Sequence, residues 1–150
     1  MIKNSTAKKS VAKVISGPKE KIIQGLFIIA DHWQSDLKFF EDELRFLTSL
    51  MNKFLPQSIA KKNIKSTSVL TTKLVALEKI RTRLDKNVAN YLSHLTDLIK
   101  SQYTNKYSYE NEHSKLEVML TAFLKDFRQV KKEIFNVTEQ SIKNGNTVTT

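Results

Sequence analysis

Apolar residues recur at alternating spacings of four and three along three stretches of the chain. In the first stretch the positions are Leu26, Ala30, Trp33, Leu37, Phe40, Leu44, Leu47, Met51 and Phe54. In the second they are Leu70, Leu74, Leu77, Arg81, Leu84, Val88, Tyr91, Leu95 and Leu98. In the third they are Tyr109, His113, Leu116, Leu120, Phe123, Phe127, Val130, Ile134 and Val137. These heptad stripes predict an all-α fold, an antiparallel three-helix up-down-up bundle with long coiled-coil-like helices.

Helix breakers and caps set the predicted boundaries. Pro18 fits the first turn of a helix, and Pro56 disfavours helix in the residue before it, so the first helix is predicted over residues 18–55. The second and third helices are predicted over 69–100 and 107–142, within a bundle that spans 18–143. Asn144 and Gly145 form a stop signal, which leaves 144–150 as a frayed tail. Residues 1–17 are predicted to be a basic, flexible arm, because so short a helix is marginal without packing.

Length and composition exclude several classes of protein. The 150 residues suffice for one domain with its own core. The chain has no Cys, which excludes disulfide bonds, thiolate metal ligands and a Cys nucleophile. It has no apolar run of about 18 residues, so no membrane span is predicted. The N-terminus lacks the apolar segment of a secretory signal, and a cytoplasmic location is expected.

Arg81 is the charged member of the second stripe. An unpaired charge at such a core position is very costly. Counting residues from the two turns of an antiparallel bundle puts Arg81 near Glu41 and Glu43 on the first helix and near Asp126 on the third. We predict an ion pair with Glu43 or Asp126 that fixes the register of the helices. The alternative is that Arg81 turns to solvent and Ile80 takes its place.

Each predicted helix carries one histidine, and the same counting places all three at one end of the bundle. The candidate ligands of a metal ion there are His32, His94, His113, Asp36 and Glu117. Imidazoles and carboxylates on facing helices are the groups from which bundles build metal sites. The alternative is that the histidines are hydrogen-bonded packing residues in a layer with Trp33, Tyr91 and Tyr109.

Catalytic motifs are missing from the sequence. It has no Gly-x-Ser-x-Gly elbow and no Gly-rich phosphate loop. Glu110-x-x-His113 is the single Glu-x-x-His spacing, whereas a di-iron bundle needs two such spacings and two further glutamates. A three-helix bundle whose side chains meet at the axis also has no cavity of substrate size. The sequence therefore predicts a non-enzymatic protein that needs no cofactor.

A second line of side chains runs beside the first stripe and contains Phe39 and Phe46. These two aromatic residues alternate with carboxylates. They are candidates for an interaction face that binds a protein partner or a second copy in a homodimer. The alternative is that both rings pack on a neighbouring helix or extend over its edge, since each helix of a three-helix bundle faces two others.

Charge is unevenly distributed along this basic chain, whose net charge is +10 and whose isoelectric point is about 9.7. Residues 31–45 hold five acidic and two basic side chains, whereas residues 53–86 hold nine basic and two acidic ones. Lys61, Lys62 and Lys65, in the connection between the first two helices, are candidates for anion binding. Nucleic acid is the partner that such a charge favours, although no nucleic-acid-binding motif accompanies it.

The residues His32-Trp33, Leu37, Phe39 and Asp42-Glu43-Leu44 form an HWxxxLxFxxDEL pattern. This pattern resembles the first helix of small helical proteins of unknown function that are common in Bacteroidetes bacteria. The stretch from Leu116 to Phe135 resembles their third helix. The resemblance implies a soluble bacterial helical bundle, and it carries over no catalytic or binding residues.

Three functions follow from the sequence, in order of preference. The first is a non-enzymatic interaction or scaffold module that uses Phe39 and Phe46. The second is a metal-binding bundle with one histidine per helix. The third is non-specific nucleic-acid binding through the basic loop and the second helix.

Overall fold

The computed structural model describes residues 2–54, 64–103 and 107–149, with side chains for 17–54, 67–103 and 107–143. Three α-helices account for most of these residues: α1 (Ile2–Phe54), α2 (Ile64–Lys100) and α3 (Tyr109–Thr149). The helices pack on one another around a common core, which confirms the predicted all-α three-helix bundle.

The up-down-up arrangement follows from which residues lie at the same level. Lys19, near the start of the packed part of α1, donates a hydrogen bond to the carbonyl of Tyr103 beyond the end of α2. Arg81, in the middle of α2, lies 3.7 Å from Glu41 of α1. On the other side, Lys73 of α2 contacts Glu133 late in α3. Residue numbers therefore rise on α1 and α3 as they fall on α2.

The heptad positions form the core, as the pattern predicts. The fully buried side chains include Leu37 and Leu47 of α1, Leu84 and Leu95 of α2, and Ile134 of α3. Between α1 and α3 the space is filled by three rings, because Phe40 meets Phe127 edge-on at 4.8 Å and Phe123 at 5.4 Å. Burial of apolar side chains, the aliphatic heptad residues together with these rings, is the main favourable contribution to the stability of the bundle.

The helix ends differ from those predicted. The arm predicted over residues 1–17 is helical from Ile2 onward, and Pro18 lies inside α1 rather than at its start. Since Lys19 is level with the α2–α3 turn, the preceding residues extend α1 beyond the end of the bundle by about 25 Å. At its other end the described part of α1 runs to Phe54, and the predicted last residue, Leu55, lies outside the described residues.

The other two helices are also longer than predicted. Helix α2 begins at Ile64 rather than at Val69, so residues 64–68 of the predicted connection over 57–68 are helical, and residues 57–63 lie outside the described residues. Helix α3 continues to Thr149, through the predicted stop at Gly145 and the predicted tail. A glycine ends a helix only where it adopts a left-handed conformation, and no described glycine has a positive φ.

The α2–α3 turn holds the two non-glycine residues of the described ranges that have positive φ, Gln102 at 56° and Tyr103 at 68°. The amide of Tyr103 donates to the carbonyl of Leu98 over 2.9 Å, and that of Gln102 donates to Ile99 over 3.1 Å. This pair of bonds is a Schellman motif, in which a left-handed residue at the first position after the helix caps the last carbonyls.

The Gln102→Gly variant is expected to be more stable than Gln102→Ala by about 1 kcal/mol, because a left-handed backbone strains any residue with a Cβ atom. Gln102 is exposed, so neither substitution removes packing. Urea denaturation of the two variants measures the difference, and equal midpoints would contradict the strain at this position.

No helix in the described part of the chain is both long enough and apolar enough to cross a membrane.

Candidate interaction surface

Helix α1 presents opposite characters on its two faces. Leu37 and Leu44 point inward and are buried. Phe39 and Phe46 point outward, with 58% and 53% of their surfaces exposed. Phe39 makes one ring contact among the described residues, edge-on to Phe40 at 5.8 Å. The alternative that both rings pack on a neighbouring helix is therefore wrong.

Ile28 extends this exposed apolar row toward the N-terminus, and 58% of its surface is accessible. Phe39 lies eleven residues after Ile28, and Phe46 lies seven after Phe39, so all three stand on one side of the helix. We call Ile28, Phe39 and Phe46 the α1 outer stripe. The heptad pattern of the sequence predicts the two aromatic members of this stripe but not Ile28. Ile28 precedes Ser35 by seven residues and Phe39 by eleven, so it lies on the same side of the helix as both.

Carboxylates flank the α1 outer stripe on both sides. Asp31 and Asp36 are exposed and have no ion pair among the described residues. Asp42 lies 3.5 Å from Arg45, at the surface. Glu43 is bound by Lys131 of α3 over 3.1 Å. The stripe is thus an apolar strip with acidic edges on a protein whose net charge is +10.

Lys131 joins α1 to α3, which sequence reasoning did not foresee. Besides its bond to Glu43, its ammonium group lies 5.9 Å from the ring centre of Phe127 and 5.7 Å from that of Phe135. Cations over aromatic faces gain about 0.5–1 kcal/mol at such partly exposed sites. Glu43 is therefore engaged by Lys131 and does not serve as the partner of Arg81.

The predicted ion pair of Arg81 with Glu43 or Asp126 is wrong, although Arg81 is buried as expected, with 6% of its surface exposed. Its guanidinium donates two hydrogen bonds of 2.8 Å to Glu78, one turn earlier on α2. A weaker contact of 3.7 Å joins it to Glu41. The hydrogen bonds from Arg81 lower the pKa of Glu78, and those to Glu78 raise the pKa of Arg81.

Arg81 pairs with Glu78 because of the direction in which its side chain leaves α2, and not because of its level along the bundle axis. Glu78 precedes Arg81 by three residues, so the two side chains meet on the face of α2 that looks toward α1. Asp126 instead lines the groove between α2 and α3, with Ile80 and Val130. The alternative that Arg81 turns outward is also wrong, since Ile80 is the more exposed of the two, at 39%.

The three histidines occupy three different environments. His113 stacks on Trp33 of α1 at 4.8 Å and lies 3.0 Å from the hydroxyl of buried Tyr91 of α2. His94 contacts Glu112 at 3.1 Å and the Tyr107 hydroxyl at 3.2 Å, near the surface. His32 is exposed on α1.

This arrangement does not support the predicted metal site of His32, His94, His113, Asp36 and Glu117. Among the described residues, no group of three His, Cys, Asp or Glu side chains is placed to hold a metal ion. His113 is satisfied by hydrogen bonds instead. The hydroxyl of Tyr91 and Nδ1 of His113 share a hydrogen bond of 3.0 Å, and Nε2 of His113 lies 3.4 Å from Glu117. Burial raises the pKa of Tyr91, which keeps its hydroxyl protonated. The predicted layer is thus confirmed for His113, Trp33 and Tyr91.

The predicted anion-binding residues Lys61, Lys62 and Lys65 lie outside the side chains that the structure describes. Comparisons with protein-family models, with curated proteins and with solved structures gave no match.

Proposed function

We propose that the protein is a non-enzymatic interaction module that binds an amphipathic helix of a partner protein along the α1 outer stripe. The observation that carries this proposal is the exposure of Phe39 and Phe46, by more than half, on a helix whose inward positions are fully buried. Large aromatic residues supply most of the binding energy of protein interfaces.

The chemistry of the partner follows from the edges of the stripe. Asp31 and Asp36 are free to pair with bases, since neither has an ion pair among the described residues. A matching partner helix carries a row of apolar side chains with Lys or Arg beside it. It would bind by its apolar face, as amphipathic helices do in peptide recognition. A second copy of this chain is disfavoured as the occupant because two proteins of charge +10 repel each other.

Site-specific photocrosslinking tests the proposal in cells that produce the protein. A photoreactive phenylalanine analogue at position 39 or 46 is expected to give an adduct of defined mass with another protein, identified by mass spectrometry. The same analogue in place of Val75, which is 53% exposed on α2, is the matched control and is expected to give none. The absence of an adduct at both Phe positions would contradict the proposal, and an adduct of two copies of this chain would contradict the choice of partner.

The Phe39→Ala/Phe46→Ala variant is then expected to bind the crosslinked segment, as a synthetic peptide, about 100-fold or more weakly. Aromatic interface anchors cost about 2 kcal/mol or more each when truncated. Isothermal titration calorimetry measures the affinity. Val75→Ala/Val118→Ala, which removes two exposed apolar side chains elsewhere, is expected to bind as the unmodified protein does.

A further inference from the structure

Two rows of exposed basic side chains run along α2 and α3, on the outer sides of these two neighbouring helices. On α2, Lys79, Arg83 and Lys86 follow one another at spacings of four and three, in a row that continues from Ala76. Ala76 is one of the residues that line the groove between α2 and α3. Positions at this spacing share one side of a helix, so the three cations lie on the solvent-facing side of α2 that also carries Ala76.

The facing row on α3 is built in the same way. Lys125, Gln129 and Lys132 are separated by four and three residues, and Gln129 lines the groove opposite Ala76. Continuing that row toward the N-terminus at the same spacings passes Ala122 and Val118 and reaches Lys115. We call the six cations the α2–α3 basic face: Lys79, Arg83, Lys86, Lys115, Lys125 and Lys132.

The six cations have no carboxylate partner in the part of the chain that the structure describes. None of them forms an ion pair among the described residues, which include every Asp and Glu of the chain. Glu133 is occupied by Lys73 at 3.4 Å, and Glu112 by His94 at 3.1 Å. Asp126 is the one carboxylate that lines the groove. Six like charges so placed repel one another, and an external polyanion relieves that repulsion.

From these observations we propose that the α2–α3 basic face binds the phosphate backbone of double-stranded nucleic acid without reading its sequence. The α3 row from Lys115 to Lys132 is about 25 Å long, which corresponds to about seven base pairs along one strand. The basic side chains form two rows, one on α2 and one on α3. A duplex likewise carries its phosphates in two rows, one on each strand.

Other polyanions fit this face less well. A single strand is held by aromatic side chains on which its bases stack, and neither row contains an aromatic residue. Membrane-surface helices insert several large apolar side chains between their cations, whereas the α3 row offers only Val118 and Ala122 in that place. The face is independent of the α1 outer stripe, because it lies on the other two helices.

Fluorescence anisotropy with a labelled random duplex of about two helical turns tests the proposal on the full chain. If six phosphates are contacted, the affinity is expected to fall about a thousandfold between about 50 and 200 mM salt, a slope near −5 in log units. Lys79→Gln/Arg83→Gln/Lys86→Gln is expected to reduce that slope to near −3 and the loss to about fortyfold. No binding of the duplex at the lower salt concentration would overturn the proposal.

Two further triple variants separate the face from net charge and from the loop. Lys21→Gln/Lys38→Gln/Lys53→Gln removes the same charge from exposed positions on α1 and is expected to leave the slope unchanged. An equal reduction in this control would mean that net charge, not the face, binds the duplex. Lys61→Gln/Lys62→Gln/Lys65→Gln is also expected to keep the slope, and if it alone abolishes binding, the proposal is wrong. Binding to phosphatidylserine vesicles but not to the duplex would overturn it as well.

Discussion

Arg81→Glu is expected to destabilise the bundle by about 3–5 kcal/mol, one of the two largest effects of a single substitution considered for this protein. The variant places a carboxylate at a position that is 6% exposed, one helical turn after Glu78, whose carboxylate now accepts two hydrogen bonds from Arg81. Glu41 and Asp85, which now favour the charge of Arg81, would also repel it. Urea denaturation followed by circular dichroism measures the loss.

Arg81→Leu is the informative control, because it removes the charge but keeps an apolar side chain at a heptad core position. The side chains of Glu78 and Glu41 are 46% and 41% exposed to solvent. Both carboxylates therefore stay hydrated when the arginine is removed. Replacing a buried ion pair by a packed apolar residue is often neutral or stabilising, and a change within about 1 kcal/mol is expected. A loss of less than that amount in Arg81→Glu would mean that residue 81 is not held in the core.

The pH dependence of stability reports the same contact. Hydrogen bonds from Arg81 lower the pKa of Glu78 in the folded protein, below the ordinary value of 4.5. A group with a lowered folded pKa contributes stability above its unfolded pKa and loses it as the pH falls through the folded one. The unmodified protein is therefore expected to lose more stability than Arg81→Leu on acidification below about pH 4.5, and parallel stability curves would exclude the contribution of Glu78.

The case of Arg81 shows what the sequence can and cannot predict about this fold. The heptad positions predict the core, and counting from the turns predicts the height of Arg81 along the bundle, since it does contact Glu41. The direction in which a long side chain turns is not encoded in that count. It depends on which carboxylate is nearest around the helix, and Glu78, on the same helix, needs no tertiary contact to be in reach.

The helix ends show a second limit. Pro18 and Gly145 are ordinary start and stop signals, yet both lie inside helices here. A proline inside a helix removes one backbone hydrogen bond, and a glycine destabilises a helix by about 1 kcal/mol. Neither destabilisation is large enough to end a long helix by itself. The level of a residue along the bundle axis is likewise not enough to predict that the three histidines share a site. His113 joins Trp33 and Tyr91 in the core, whereas His32 and His94 lie toward the surface.

Trp33→Ala is expected to destabilise the protein by about 3 kcal/mol or more, whereas Phe39→Ala/Phe46→Ala is expected to change stability by less than about 1 kcal/mol. All three aromatic residues belong to α1, and the difference comes from the direction they face. Trp33 stacks on His113 of α3 at 4.8 Å and on Tyr91 of α2 at 6.4 Å, so it holds the three helices together at one level. Its removal leaves a cavity beside a buried tyrosine hydroxyl.

Chemical denaturation followed by circular dichroism is the required measurement, because Trp33 is the single tryptophan and its variant has no indole fluorescence. A large loss in the double phenylalanine variant would mean that the α1 outer stripe stabilises the bundle itself. A small loss has a consequence for function as well. Only if Phe39→Ala/Phe46→Ala folds as stably as the unmodified protein does its weaker binding of a partner helix report a lost interface rather than a lost fold.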